Sequence, residues 1–517
     1  MQKVQMMSIS FMVICSIFAH GIFTDEHILP KWLCAGIFAC IAILCPCGNT
    51  TKLRNVFFSS YMFSVIVLCT ICLIQYTSSH VFDKHSDLFD IYDNTAGVVA
   101  CICPIVPFAV SKRKILSIIC LCLVILTVLC LQSRSGIIAI TTSLVTYFLL
   151  DHKEYNLSKL ILYACITFTL IIAIYAIIYI GKQESAIGRA FIWHVTLSML
   201  YHAPTFGYGW DGFAKHYMDF QAAYFMSNND LTHGMLADNV KTPFCEYLGL
   251  VIDFGIVGIL AILIVIVTTL FLYLRSLCAY KNAHLCSIIS ISTISLFSYP
   301  FTYPIVWLIF THNIVTLYSG CSFHKFTIRE NIKNLLTCLK VSSTFLILLL
   351  ILQRGFYERQ WADDNKNGKE YSNEIKDYFQ DNTYFIYNCA LRAIEEGEYS
   401  TALSLLKRCD KSWADYDVTL NIGLLYYANS QYAKALYYLK KAHYMCPNRF
   451  IPLHYMAEVY KELNQISDAL LISTKIIHMP IKIPSEDIAY IKYTAQQYIK
   501  QQTYSSNNQI HSYEKEI

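Results

Sequence analysis

Long apolar segments are the feature that most constrains how this chain can fold. Eleven of them occur before residue 354, most close to the ~20 residues that a helix needs to cross the hydrocarbon core of a bilayer. They predict an all-α fold that begins with a polytopic membrane helix bundle of about 11–12 spans. The segments lie near 5–22, 32–48, 56–77, 94–110, 115–132, 135–150, 158–180, 245–274, 285–300, 303–320 and 339–353.

Charge divides the chain into two parts. Residues 1–353 carry 37 Asp, Glu, Lys and Arg residues, whereas the shorter remainder carries 39 in 164 positions. The second density is close to the roughly 25% of soluble domains. We therefore predict a membrane domain (1–353), a connector (354–380), a soluble domain (381–500) and a polar tail (501–517). The net charge of +4 gives no reason to expect a nucleic-acid partner.

Lys and Arg residues also indicate the orientation of the predicted spans. With the N-terminus in the cytoplasm, the cytoplasmic segments before residue 354 hold 14 of these cations and the outside segments hold 7. Cytoplasmic loops of membrane proteins are enriched in Lys and Arg, so we predict this orientation. It places the polar stretch 181–243 and the soluble domain outside. The outside cations are Lys31, Lys84, Arg134, Lys182, Arg189, Lys215 and Lys241.

The soluble domain contains an internal repeat. Three segments, 398–403, 431–436 and 465–470, align with offsets of 33 and 34 residues and share an Ala-Leu pair. Their period and small residues resemble the tetratricopeptide repeat, which predicts an α-solenoid over 381–500. Because a solenoid has a concave surface, we expect it to bind a partner or acceptor. A spacer, or an element packed against the membrane domain, is the alternative.

Residues capable of chemistry gather in the stretch 181–243 and just after it. Residues 189–201 have helical apolar spacing with aromatic side chains, which suits a helix at the membrane interface. A Gly-x-Gly turn follows Pro204 and lets the chain reverse close to that helix. The polar and aromatic candidates are Arg189, Trp193, His202, His233, Asp238, Lys241 and Glu246.

Several motifs between Ser133 and Gly258 resemble those of the O-antigen ligase and O-antigen polymerase superfamily, and the resemblance covers about residues 115–320. The resemblance depends on the order, spacing and shared outside location of several motifs. It implies a glycosyltransferase that takes a glycan from undecaprenyl pyrophosphate at the periplasmic face of a bacterial inner membrane. The segments that carry it are Ser133-Arg134-Ser135-Gly136, Gly188-Arg189…Trp193, His202-Ala203-Pro204…Gly207-Tyr208-Gly209…Phe213 and Glu246-Tyr247-Leu248…Phe254-Gly255-Ile256-Val257-Gly258.

The resemblance assigns two arginines to the donor. Arg134 and Arg189 occupy the positions that match the family's arginines, and a guanidinium offers phosphate oxygens a planar, permanently charged set of donors. Departure of a lipid pyrophosphate creates negative charge, which fixed cations stabilise. Lys241 is a third candidate cation. Trp193 and Asp238 are expected to contact substrate, and Glu246 to contact the acceptor or pair with an arginine.

The acceptor hydroxyl needs a base or a hydrogen-bond acceptor. Relatives commonly have a His-Asn pair just before the segment that matches Glu246, but this chain has Phe244-Cys245 there. The sequence therefore leaves the base open. His233 and His202 are the preferred candidates, with Asp238 and His216 as alternatives.

The preferred function is a metal-independent, cofactor-free ligase-type glycosyltransferase. Three acceptors remain open: a lipid A core, a growing glycan in a polymerase, or a protein side chain in an O-oligosaccharyltransferase. A lipid-linked glycan transporter or a membrane-anchored scaffold is the alternative from another class. A transporter should carry charged residues along a path through several spans, whereas the charges here gather towards one side.

Overall fold

The computed structural model describes residues 2–45, 50–82, 114–130, 133–151, 183–322 and 330–516. Within these ranges the chain is all-α, as predicted, and one isolated backbone bridge pairs Ser276 with Cys321. The chain divides into two units. The first comprises Met1–Gly181, Phe244–Tyr247 and Leu260–Tyr378, and the second comprises Lys182–Pro243, Leu248–Ile259 and Phe379–Ile517.

The helices are numbered along the chain. Those before the long polar stretch are α1 (Gln2–Phe18), α2 (Leu29–Leu44), α3 (Thr50–Phe82), α4 (Lys114–Cys130) and α5 (Arg134–Asp151). The polar stretch and the helices after it form α6 (Gln183–Tyr201), α7 (Gly212–Ser227), α8 (Leu231–Leu236), α9 (Glu246–Arg275), α10 (Lys281–Ser295), the 3₁₀ turn Pro300–Thr302, α11 (Pro304–Ser319) and α12 (Glu330–Lys366). The C-terminal part contains α13 (Asn373–Tyr378), α14 (Thr383–Glu395), α15 (Tyr399–Ser412), α16 (Tyr416–Ala428), α17 (Tyr432–Met445), α18 (Ile451–Glu462), α19 (Ile466–His478) and α20 (Glu486–Glu516).

A helix covers all or most of each predicted span within the described ranges, although the helices over 5–22 and 285–300 end at Phe18 and Ser295; the predicted spans 94–110 and 158–180 lie outside these ranges. By length and composition, three of the described helices can cross a membrane: Lys52–Ile74, Glu246–Arg275 and Asn331–Lys366. Four more described segments are apolar but shorter: Gln2–Phe18, Leu29–Leu44, Ile119–Val128 and Pro304–Ser319. The last predicted span, 339–353, is part of a much longer helix, α12.

Helices of the first unit share one apolar core. Side chains from α1, α3, α4, α5, α10 and α11 meet in it, among them the buried Val13, Val65, Val128, Ala139 and Ile305. Helix α5 packs on α10, and α10 packs in turn on α11. The N-terminal end of α5, where Arg134 lies, is therefore held by a helix that packs into the core.

The predicted span that becomes α9 is broken near its N-terminal end. Gly255 has φ 55° and ψ −130°, outside the helical region. Three backbone bonds to the preceding loop replace those lost at the break: the N–H of Tyr208 donates to the carbonyl of Ile252, that of Gly209 to Asp253, and that of Ile256 to Thr205. A break in an apolar helix is stable when its freed backbone groups find such partners within the protein.

The break also fixes the start of helix α7. Asp253 accepts a hydrogen bond through Oδ1 from the backbone N–H of Phe213 at 3.1 Å, in the first turn of α7. A carboxylate at this position satisfies an otherwise unpaired helix donor. The Gly-x-Gly turn after Pro204 therefore packs on the broken part of α9, and this contact orients the long polar stretch.

The C-terminal helices form pairs at the predicted spacing. The second helix of each pair begins at Tyr399, Tyr432 and Ile466, which are 33 and 34 residues apart. Each helix from α14 to α20 packs on the next helix along the chain. The small residues that the alignment placed between paired helices, Ala402, Ala435 and Ala469, are fully buried.

Replacement of Gly255 by Ala tests the break in α9. A Cβ at this position would lie 2.2 Å from the carbonyl oxygen of Thr205, and the positive φ adds strain, at a cost of about 1–3 kcal/mol before the overlap is counted. We expect Gly255→Ala to lower the melting temperature and the yield of monodisperse protein in detergent.

Gly249→Ala is the matched control in the same helix, because its Cβ would meet only Pro243 Cγ, at 3.6 Å. The control should keep the yield and melting temperature of the wild-type protein. Equal behaviour of the two variants would contradict the structural role of the break.

Candidate active site

Arg134 lies in the first unit, at the first position of helix α5. The first turn is closed by the N–H of Ile137, which donates to the carbonyl of Ser133 at 3.0 Å. The side chain is half-buried. A cation at a helix N-terminus is unfavourable by roughly 0.3–1 kcal/mol, whereas an anion there is favourable. An anionic ligand at this end of α5 would therefore gain from the helix dipole and would meet the backbone donors of the first turn.

Arg189 lies in the second unit, on helix α6. Phe191, Val195 and Met199 form the buried side of this helix, which packs on α7 and α8. Arg189 is half-buried and lies one turn before Trp193, so the two side chains project from the same face of α6.

Trp193 ties α6 to the end of the long polar stretch. Its indole Nε1–H donates to the carbonyl oxygen of Pro243 at 2.9 Å. An indole has a single N–H donor, so this contact uses the only conventional hydrogen bond that Trp193 can donate. The bond holds the Arg189 face of α6 against the chain that leads into α9.

His233 has the most defined hydrogen bonds of the candidate bases. Its Nδ1 lies 2.5 Å from Oδ2 of Asp230, and its ring stacks on Phe191 with centroids 4.9 Å apart. Asp230 also accepts from the backbone N–H of His233, which caps α8, and from the hydroxyl of Tyr224 at 2.9 Å. An ionised carboxylate can only accept, so Nδ1 is the donor, and in the neutral imidazole Nε2 is then the acceptor nitrogen.

Asp230 remains ionised in this arrangement. Partial burial raises the pKa of its carboxyl group, but hydrogen bonds from His233 and Tyr224 oppose this effect, and the net result is a pKa below the ordinary value. A carboxylate that orients an imidazole in this way is a common arrangement for a general base.

The helix α6 separates the candidate base from Arg189. At ~100° per residue, the side chains of Arg189 and Phe191 leave the helix about 160° apart, and His233 stacks on Phe191. His202 is also distant, because 13 residues of helix correspond to ~20 Å along the axis. Its exposed ring bonds through Nδ1 to the carbonyl of Ser198, one turn earlier. The structure therefore places neither histidine on the Arg189 face.

Lys241 contacts the C-terminal helices. Its ammonium group forms an ion pair with Asp415 and lies 3.9 Å from the centre of the Trp413 ring. Burial lowers the pKa of Lys241, although Asp415 opposes this shift. The charge of Lys241 is thus already compensated within the protein.

Asp238 has a similar location. Its Oδ1 accepts from Arg449 at 3.0 Å, and its backbone carbonyl accepts from Gln221. Burial raises the pKa of the Asp238 carboxyl group, but the N–H of Asn239 and the guanidinium of Arg449 lower it by more. Asp238 and Lys241 are therefore placed together, at contacts between the polar stretch and the helix pairs.

Glu246 belongs to the first unit and starts helix α9. Its Oε1 accepts from the backbone N–H of Phe301 at 3.0 Å, which fixes the adjoining 3₁₀ turn. Phe244, where relatives commonly have the His-Asn pair, has a φ of 52°. A positive φ is rare for a bulky residue and marks local strain. His216, an alternative base, lies beside Tyr208 with ring centroids 4.6 Å apart.

Sequence reasoning missed Asp230 and Asp415. Asp230 could have been found, because a His three residues after an Asp at a helix start is a recognisable local pattern. Asp415 offers only an N-cap signal, and its contact with Lys241 joins residues 174 positions apart. Among the described residues, no group of three or more His, Cys, Asp or Glu side chains could hold a metal ion.

Residues 118–263 match the family model described as O-antigen ligase (Wzy_C). No curated protein matches the chain. The matched range includes all eight candidate residues: Arg134, Arg189, Trp193, His202, His233, Asp238, Lys241 and Glu246. This part of the chain is thus similar to the O-antigen ligase family, and the apolar helices indicate an integral membrane protein.

Trp193→Phe tests whether the indole bond holds the polar stretch. The substitution keeps an aromatic ring but removes the donor to Pro243, at a cost of about 1 kcal/mol. We expect trypsin to cleave after Lys241 about fivefold faster, because cleavage follows the population of the locally opened state. Mass spectrometry of the timed digest measures this rate.

Trp307→Phe is the control, because it removes an indole donor to the carbonyl of Phe301 in the first unit. It should leave cleavage after Lys241 unchanged. An unchanged rate in Trp193→Phe itself would contradict the assigned role.

Proposed function

We propose that this chain is a membrane glycosyltransferase of the O-antigen ligase type. It transfers a preassembled glycan from undecaprenyl pyrophosphate to an acceptor on the periplasmic side of a bacterial inner membrane. The observation that carries the proposal is the O-antigen ligase match, which includes every candidate site residue. The N-terminus is cytoplasmic in this proposal, and the tetratricopeptide-like C-terminal domain is periplasmic.

Arg134 and Arg189 each bind the pyrophosphate of the donor. For Arg134 the support is its position at the N-terminal end of α5, where an anion gains from the helix dipole. For Arg189 the support is its place beside Trp193, on a face of α6 that is fixed by the bond to Pro243. Negative charge grows on the leaving pyrophosphate as the glycosidic bond breaks, and fixed guanidinium groups stabilise it.

His233 accepts the proton of the acceptor hydroxyl. Asp230 holds Nδ1 as the donor, so Nε2 is the available acceptor. His202 is not included, because its Nδ1 bonds to the carbonyl oxygen of Ser198 in its own helix, whereas the ring of His233 is held by a carboxylate. Lys241 is also not included, because its charge is compensated by Asp415.

Arg134→Ala and Arg189→Ala test the donor site. We expect each to lower kcat/KM for transfer by about 10²–10³, the usual loss when one preorganised charge donor is removed. Arg→Lys at either position should restore only part of the rate, because an ammonium group lacks the planar fork. The measurement is transfer from undecaprenyl-pyrophosphate-linked glycan by protein in nanodiscs.

Lys215→Ala is the control, because it removes another cation from the predicted periplasmic side. The ammonium group of Lys215 donates to the carbonyl oxygen of Trp210, outside the segments 133–136 and 188–193 that carry the two arginines. Normal transfer by both alanine variants would exclude the proposed donor site.

The same variants in cells identify the acceptor class. Accumulation of long lipid-linked chains indicates a ligase, single repeat units indicate a polymerase, and unglycosylated secreted proteins indicate a protein glycosyltransferase.

His233→Gln tests the base. Loss of general base catalysis should lower kcat by about 10²–10⁴ with little change in the KM of the donor. His194→Gln is the matched control, because His194 is exposed on the same helix as Arg189 and has ring contact with Tyr224. A wild-type kcat in His233→Gln would show that the Asp230 pair only anchors α8.

A further inference from the structure

The helix pairs of the C-terminal domain bind the chain's own polar stretch. Asp415 accepts through Oδ2 from Lys241 and from Asn239 Nδ2, the latter at 2.9 Å. Asn448 donates to the carbonyl oxygens of Ala237 at 2.7 Å and Met235 at 3.0 Å. We call these contacts the loop–repeat interface. It also includes the contacts of Gln221 and Asp219 with α17 and the ion pair between Asp238 and Arg449.

Helix α7 contributes a second set of contacts to the loop–repeat interface. The buried amide of Gln221 donates to the carbonyl of Met445 at 2.6 Å, at the C-terminal end of α17. Lys441, also on α17, forms an ion pair with Asp219 at 2.8 Å. The helix pair α16–α17 and the turn after it thus hold the polar stretch at several points, within one unit of the structure.

Asp415 has two structural roles in this interface. Its Oδ1 accepts from the N–H of Val418 at 2.9 Å and caps α16, while Oδ2 holds Asn239 and Lys241. The residue is only 3% exposed. Removal of one partner of a buried ion pair leaves an uncompensated charge, which is strongly unfavourable. The position of residues 239–241 is therefore closely coupled to Asp415.

A short path leads from Asp415 to Arg189. Pro243 follows Lys241 by two residues and accepts the indole hydrogen bond of Trp193. Trp193 lies one turn from Arg189 on the same face of α6. The segment 241–243 is held at Lys241 by Asp415 and at Pro243 by Trp193. A shift of α16 can therefore move the face of α6 that carries Arg189.

We propose that Asp415 is a positioning residue for Arg189, and that the C-terminal helix pairs act on the donor site from within the same chain. The proposal rests on the proposed function for its catalytic consequence. Its structural part concerns only contacts within the second unit.

The test uses full-length protein in phospholipid nanodiscs. Asp415→Asn keeps an N-cap acceptor for α16 but removes the charge that pairs with Lys241. Lys241→Met removes the same ion pair by a substitution in the polar stretch, with no substitution in the helix pairs. Glu458→Gln is the control, because it breaks a 2.7 Å pair with Lys461 inside α18 that does not involve the polar stretch.

Hydrogen exchange provides the first readout and does not depend on activity. We expect amides of residues 183–201 and 239–243 to exchange at least about tenfold faster in Asp415→Asn and Lys241→Met, and at the wild-type rate in Glu458→Gln. Unchanged exchange in the first two variants would overturn the proposal, whatever their transfer activity.

A double-mutant cycle provides the second readout. Asp415→Asn should raise the KM for the undecaprenyl-pyrophosphate-linked donor about tenfold in the wild-type background and should have little effect in Arg189→Ala. Additive effects would overturn the positioning role, because a general loss of stability would act equally in both backgrounds. Faster exchange together with normal transfer by Arg189→Ala would overturn the proposed function and support the structural part of the proposal.

Discussion

The buried carboxylate of Asp415 is the interaction on which the arrangement of the polar stretch depends. One oxygen caps a helix of the C-terminal domain, and the other holds Lys241 and Asn239. A carboxylate this far from water is stable only with partners that satisfy both oxygens. The loop and the helix pairs therefore do not fold as independent parts, although a break in charge density separates them in the sequence.

Local features of this structure could be predicted from the sequence, whereas contacts between residues far apart in the sequence could not. The helices could be predicted, because apolar runs and the 33–34-residue period are local patterns that three-dimensional contacts only reinforce. The break at Gly255 could be suspected from the glycine, but its partner could not be identified, since the compensating bonds come from residues near position 207. Packing of the helix pairs against the membrane domain was an alternative, but the residues of the loop–repeat interface could not be predicted, because polar residues of this kind are usually exposed to solvent.

The candidate site shows the same division. His233 was predicted as a base, and its partner lies three residues away, so the pair is a local pattern. Lys241 was predicted to bind substrate because of its charge and position. Its actual partner, Asp415, comes from another domain of the sequence. A cation near a proposed site thus requires knowledge of its partners before it can be assigned to the ligand.

The contacts of the lysines on the predicted outside face help to decide which cations bind the donor. Lys31 lies 5.9 Å from the centre of the Tyr303 ring, Lys215 bonds to a backbone carbonyl, and Lys241 pairs with Asp415. These three lysines have structural contacts that stabilise the fold. Arg134 lies at the first position of α5, where the helix dipole favours an anion. The proposed function therefore assigns the donor to Arg134 and Arg189 rather than to these lysines.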